Sequence, residues 1–172
     1  MAFDSNDKKD QFVMDVPFTS LQTQDGCLVS SVQEGYWFLN EVAVNKSAHN
    51  LSAILHINGE LDLSALDRSL KAIIKRHAPL RTIFYWSMNT LLQKQIQMDT
   101  DFQISGLCSK CEIIHPSATL EKLINSNVNE SFDLGNGPLY RFKLYKIGKN
   151  SYKFLIVFHH IIADFHSINI FI

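Results

Sequence analysis

Phe154-Leu-Ile-Val-Phe-His159-His160-Ile-Ile-Ala-Asp164-Phe-His-Ser167 is the stretch from which the fold is read. Leu155 to Phe158 are branched or aromatic without alternating polar residues, the pattern of a central strand covered on both faces. Two imidazoles follow. Successive strand residues point to opposite faces, so His159 and His160 cannot enter the same cavity. One is expected to be structural and the other free for chemistry. Asp164 stands where an acidic side chain caps the helix suggested by residues 165–172 and holds the local turn.

Upstream, Gly148-Lys-Asn150 makes a hairpin between that strand and another over Leu139 to Tyr145. Phe132 to Pro138 is a turn-rich bridge. Pro116-Ser117 opens a helix through Leu120, Ile124 and Val128. Between Asp99 and Ile114 the signals are mixed, with Phe102 to Ser105 and Glu112 to His115 as candidate short strands. Leu80 to Trp86 and Leu91 to Met98 read as strands joined at Ser87-Met-Asn, and Pro79 ends the helix before them. That helix, Asp62 to His77, sets Leu63, Leu66, Leu70, Ile73 and Ile74 on one face and Asp67, Lys71 and Lys75 on the other. Asn50 to Ile57 is a strand turned by Asn58-Gly59. Ser30 or Ser31 caps a helix whose Val32, Tyr36, Leu39 and Ala43 recur at helical spacing, with Trp37 and Phe38 broadening the expected buried face. Residues from Phe12 to Cys27 form an irregular lead-in, and residues 1–15 a flexible tail. Alternating strands and helices with an antiparallel hairpin define a mixed α/β sandwich.

With 172 residues and 46% hydrophobic content, one domain or lobe with a sizeable core is expected. The 16 Lys and Arg against 17 Asp and Glu leave no basic footprint, so nucleic acid and anionic membrane are set aside as partners. No apolar run reaches membrane-spanning length. Three cysteines without a secretory leader suit the cytoplasm. Cys108-Ser-Lys-Cys111 lacks the further ligands of a zinc site, so no metal is expected. Ile168, Ile170, Phe171 and Ile172 are apolar all round in a helix with no polar ending, which points to something more beyond residue 172.

A histidine at a strand end, a neighbour to orient it and an acid four residues later make a general-base unit. No Gly-x-Ser-x-Gly nucleophile elbow accompanies it. A base without a protein nucleophile suits direct transfer, in which a substrate amine or alcohol attacks a bound acyl donor. If Asp164 is buried it needs a cationic partner. Arg81 and Arg141, both on expected strands, are the candidates.

His159-His160-Ile-Ile-Ala-Asp164 resembles the His-His-x-x-x-Asp-Gly signature of condensation domains of nonribosomal peptide synthetases, within the chloramphenicol acetyltransferase-like superfamily. Two further motifs stand in the same order. Ser30-Ser-Val-Gln33-Glu-Gly-Tyr-Trp37-Phe-Leu39 is similar to Ser-x-Ala-Gln-x-Arg-x-Trp-x-Leu, with Gly35 in place of arginine. Arg76-His77-Ala78-Pro79-Leu80-Arg81-Thr82-Ile-Phe84 is similar to Arg-His-Glu-x-Leu-Arg-Thr-x-Phe, with Ala78 in place of glutamate. Phe132-Asp-Leu134, Gly137-Pro-Leu139 and Arg141 match the usual approach to the histidines.

The resemblance implies a chloramphenicol acetyltransferase-like mixed-sheet α/β sandwich, one lobe of a two-lobe pseudo-dimer. Residues 16–172 would be the N-terminal lobe, with the C-terminal lobe absent. It implies an active-site tunnel reached by phosphopantetheine arms of donor and acceptor carrier proteins, and no tightly bound cofactor. The catalytic residue it assigns is His160, which would orient or deprotonate the acceptor amine. Asp164, paired with Arg81, and His159 take supporting roles. Phe165 stands at the motif's glycine, where a phenyl ring would line and narrow the tunnel. Gly35 is similar to what starter-type and some other condensation subtypes carry, which leaves the subtype open. The alternatives are a coenzyme A-dependent acyltransferase and a non-catalytic scaffold of the same fold that recruits carrier proteins or tailoring enzymes.

Overall fold

The computed structural model describes residues 26–97 and 117–172. The tail at 1–15, most of the expected lead-in, the Cys108/Cys111 pair and the candidate strands between residues 102 and 115 lie outside them.

The apolar run forms the middle of strand β6 (Ser151–His159), which lies between β2 (Asn50–Asn58) and β5 (Tyr140–Gly148) in one antiparallel sheet. Its central place explains why it does not alternate: it has a strand on each side and side chains packed on both faces. Register pairs Phe158 with Leu51 and Tyr140, and His159 with Asn50. One face presents Phe154, Ile156 and Phe158 with Leu51, Phe142 and Leu144 to helices α2 (Leu63–Arg76) and α4 (Phe165–Phe171). The other face presents Leu155 and Val157 to helix α3 (Ser117–Asn129) and to Phe84, Leu91, Phe132 and Leu134. Phe84 and Leu91 belong to β3 (Thr82–Ser87) and β4 (Thr90–Gln95), which with β1 (Cys27–Leu28) form the second antiparallel sheet in the order β1-β4-β3. Each fully buried side chain of this size contributes roughly 1.5–3 kcal/mol, and Leu155, Ile156 and Val157 are all completely buried.

Helix α2 follows its sequence closely. Asp62 caps it by accepting from the amides of Ser64 and Ala65, and Leu70 and Ile74 are buried, while Lys71 pairs with Asp67 at 2.9 Å. Pro79 lies in a short 3₁₀ turn, Ala78–Arg81, between α2 and β3. The β3–β4 hairpin turns at Met88 and Asn89, both with positive φ, as a two-residue loop with the twist of its strands requires.

Helix α1 (Ser31–Val42) departs from expectation. Ser30 caps it, with a reciprocal bond from its own amide to the Gln33 side chain. Yet Val32, Phe38, Leu39 and Val42 are exposed, and only Tyr36 and Trp37 pack against the core. Periodicity identifies an apolar face, but among the described residues only the part of it at Tyr36 and Trp37 is covered. Cys27 departs too: it belongs to β1, paired with Gln93, rather than to an irregular lead-in.

Candidate active site

Strand β6 ends on two histidines in different environments. His159 ends the buried run and has no solvent exposure. Its amide donates to the Leu139 carbonyl at 3.0 Å, and its Nδ1 accepts the Ile161 amide at 3.1 Å. An Nδ1 that accepts leaves the proton of the neutral ring on Nε2. Phe132 and His49 meet the ring edge-on, with centroids 6.3 and 6.2 Å away. Burial, then the nearby His49 and His160, pushes the His159 pKa down to about 4. At neutral pH this imidazole is uncharged and fixed.

His160 begins the turn. Its amide donates to the His49 carbonyl at 2.9 Å, and the turn is closed by the Ile162 amide donating to the His159 carbonyl at 3.1 Å. Its ring is half-buried and lies against Tyr36 of α1, centroids 4.5 Å apart and planes 18° from parallel. His49 meets the same Tyr36 edge-on at 5.7 Å. By sequence Tyr36 reads as a core position and His49 has no role. Neither spacing nor periodicity carries the signal, because the contacts join residues distant in the chain.

Asp164 does not take the expected partner. It is exposed, and its Oδ1 accepts from the Ser167 amide at 2.7 Å and hydroxyl at 2.6 Å, while its own amide donates to Ser167 Oγ at 3.2 Å. These bonds cap α4 and hold the carboxyl below its usual range, the Ser167 side chain being the largest cause. Arg81 instead donates through Nε to the Ile74 carbonyl at 3.1 Å, near the end of α2. Among the described residues no ion pair joins Arg81 to Asp164. An exposed carboxylate has little desolvation penalty to offset, so the reason for a buried pair disappears.

Arg141 is also engaged elsewhere. Its Nε pairs with Glu130 at 3.2 Å, and its NH1 donates to the Asn127 carbonyl at 2.7 Å at the end of α3. The guanidinium lies 4.5 Å from the centre of the Phe132 ring, which borders His159. Arg141 thereby braces the wall of the structural histidine.

Two clefts flank the turn. One of about 570 Å³ is bounded by Gly26, Gln33, Pro79, Phe84, Gln93 and Ile161. The other, about 460 Å³, lies between Arg76, His77, Phe158, Ala163 and Phe171. They share Pro79 and Ile162, and His160 lines neither. Phe165 opens α4 with 69% exposure and also lies outside both linings. Gly35 is exposed on α1 with open space beside it, and Ala78 borders the first cleft. Among the described residues no group of three or more His, Cys, Asp or Glu side chains is placed to hold a metal, and no helix is long and apolar enough to cross a membrane.

Two small sheets with helices, and a central strand ending in a histidine turn, define the chloramphenicol acetyltransferase-like α/β class. The starter condensation domain of rhizomide synthetase RzmA superposes with a TM-score of 0.69 at 18% identity, over 83% of this chain and 34% of that one. The X-domain from teicoplanin biosynthesis superposes with a TM-score of 0.72 at 22% identity, over 84% of this chain and 30% of that one. Within this class the chain belongs to the condensation domain family of nonribosomal peptide synthetases, whose sequence profile matches residues 23–172. A linear gramicidin synthase of Brevibacillus parabrevis is 32% identical over 155 residues, 90% of this chain and 3% of that protein. The dimodular nonribosomal peptide synthase of Bacillus subtilis (strain 168) is 31% identical over 140 residues, 79% of this chain and 6% of that protein. The chain thus spans a few per cent of these synthases and about a third of the solved chains.

Proposed function

We propose that this chain is the N-terminal lobe of a condensation domain that forms amide bonds in nonribosomal peptide biosynthesis in the cytoplasm. An acceptor aminoacyl amine attacks the carbonyl of an acyl or peptidyl thioester, a C–N bond forms, and the C–S bond breaks to release the donor thiol. Both substrates are carried on phosphopantetheine arms of carrier proteins, and the domain itself holds no cofactor. His160 orients the amine and takes its proton, while His159 supports the turn from inside the core.

The carrying observation is the division between the two histidines: one fully buried and hydrogen-bonded in place, the next half-buried with its ring at the turn. The exposed Val32, Phe38, Leu39 and Val42 of α1 support a C-terminal lobe that completes the tunnel. Without that lobe the site is half built and turnover is expected to be absent.

The test is condensation between loaded donor and acceptor carriers by the two-lobed domain. His160→Ala should lower product formation by about 10²- to 10⁴-fold with the fold intact. Undiminished product would overturn the assignment. A preference for free acyl-coenzyme A over carrier-bound donor would instead support a coenzyme A-dependent acyltransferase.

A second reading, a non-catalytic scaffold that recruits carrier proteins or tailoring enzymes, draws on Phe165, which occupies the position of the motif's glycine and is largely exposed. A structural neighbour, the teicoplanin X-domain, has been solved in complex with OxyB. Carrier binding without turnover, unrescued by Phe165→Gly, would favour this reading.

A further inference from the structure

A general base needs its ring held in one orientation, and the usual device is a hydrogen bond from one ring nitrogen to a carboxylate or carbonyl. His160 lacks that device. The acid that follows it, Asp164, spends its hydrogen bonds on Ser167 and faces solvent. Among the described residues no hydrogen bond engages either ring nitrogen of His160. What the ring has instead is the face of Tyr36, at 4.5 Å and 18° from parallel.

We infer that Tyr36 is the positioning residue of His160, fixing the imidazole plane by stacking while leaving both ring nitrogens free. The inference rests on the reading of His160 as the catalytic base. Three features make the stack a built feature rather than a chance contact. Tyr36 sits on α1, whose start is fixed by the Ser30–Gln33 capping box, and packs with Trp37 against the core. The backbone of His160 is tied to the His49 carbonyl, so the base of the side chain cannot drift. His49 in turn closes on the Tyr36 ring edge-on, so tyrosine and histidine are held from both sides of the same turn. A stacked aromatic pair restricts the remaining torsion without withdrawing a nitrogen from proton transfer.

Stacking needs the ring and not the hydroxyl, so Tyr36→Phe should behave as the native protein, whereas Tyr36→Leu and Tyr36→Met should not. The first readout needs no turnover. In the intact protein labelled with ¹³C-histidine, the His160 ring resonance, assigned by its loss in His160→Gln, should be displaced upfield by the Tyr36 ring. The displacement should persist in Tyr36→Phe and vanish in the Leu and Met variants, each checked for an intact fold by its amide spectrum. The second readout is condensation with loaded carriers by the two-lobed domain. The aliphatic variants should lose about three- to tenfold in kcat with KM unchanged, and Tyr36→Phe should stay within about twofold.

A His160 resonance that does not move in the aliphatic variants would overturn the stack. A resonance that moves while kcat holds, in an enzyme that His160→Gln inactivates, would overturn the positioning role and leave His160 as the base. Full turnover in His160→Gln would overturn the catalytic reading itself, and the positioning role with it.

Discussion

The buried end of β6 and the turn that leaves it carry the same residue type one position apart and treat it in opposite ways. His159 faces the cluster of Leu155, Val157 and Phe132, has no exposure, and is held neutral with its pKa pushed down to about 4. His160 points away from that cluster, keeps part of its surface, and rests on Tyr36. The separation arises because His159 is the last residue of the strand and His160 the first of the turn that leaves it. The difference teaches that a paired histidine motif divides labour by packing. The inner ring is buried and held neutral, and the outer ring is left half-exposed at the turn.

The comparison breaks first on activity. If the outer ring carries the chemistry, His160→Ala should cost about 10²- to 10⁴-fold in condensation rate with little change in unfolding midpoint, measured on the two-lobed domain. The inner ring should behave inversely. His159→Ala removes a completely buried side chain and the acceptor of the Ile161 amide, so a loss of about 2–4 kcal/mol in urea unfolding is expected. Equal effects of the two substitutions on both readouts would erase the distinction.

Proton linkage sharpens it. The pKa of His159 is about 4 when folded, against 6.5 for the unperturbed ring. Between those values the unfolded chain binds a proton that the folded chain refuses. The contribution is therefore complete above pH 6.5, is lost as pH falls toward 4, and changes no further below it. At about 1.4 kcal/mol per unit, the swing is at most about 3.5 kcal/mol. Asp133 and Asp164 have depressed pKa values, so their contributions are present above about 3.8 and disappear only at lower pH. The windows do not overlap. Urea unfolding at pH 7, 5.5 and 4.5 should show a decline in the native protein that His159→Leu flattens, and a decline of equal slope in both would refute the assignment.

How much of this is legible in the sequence depends on how local the physics is. The run from Phe154 to Phe158, the Leu70 and Ile74 face of α2, and the turns at Gly59 and Gly148 all follow from neighbouring residues, and the structure contains each. So does the Asp164 cap of α4. The apolar face of α1 is legible as a face, but burial requires a partner that periodicity does not encode, and Phe38 is 63% exposed. The expected Arg81–Asp164 pair rests on the cost of burying a carboxylate, and Asp164 is not buried. The contacts of Tyr36, His49 and Arg141 join residues distant in the chain, and composition and spacing do not encode them.

The smallest expected effect lies at the far end of the turn, and it tests whether Asp164 belongs with the outer histidine or with the helix after it. Its bonds are local: Oδ1 accepts from the Ser167 amide and hydroxyl, and no ion pair within the described residues extends them toward His160. An asparagine retains an oxygen at the same position and is an equally good helix cap, whereas alanine has no acceptor. Asp164→Asn should therefore leave both the unfolding midpoint and the condensation rate near native. Asp164→Ala should lower the midpoint by less than His159→Ala does, because an exposed cap is lost instead of a buried ring, and its turnover should follow the folded fraction. A folded Asp164→Asn without activity would place the carboxylate charge in the chemistry, and the division of labour would then run through three residues of the turn instead of two.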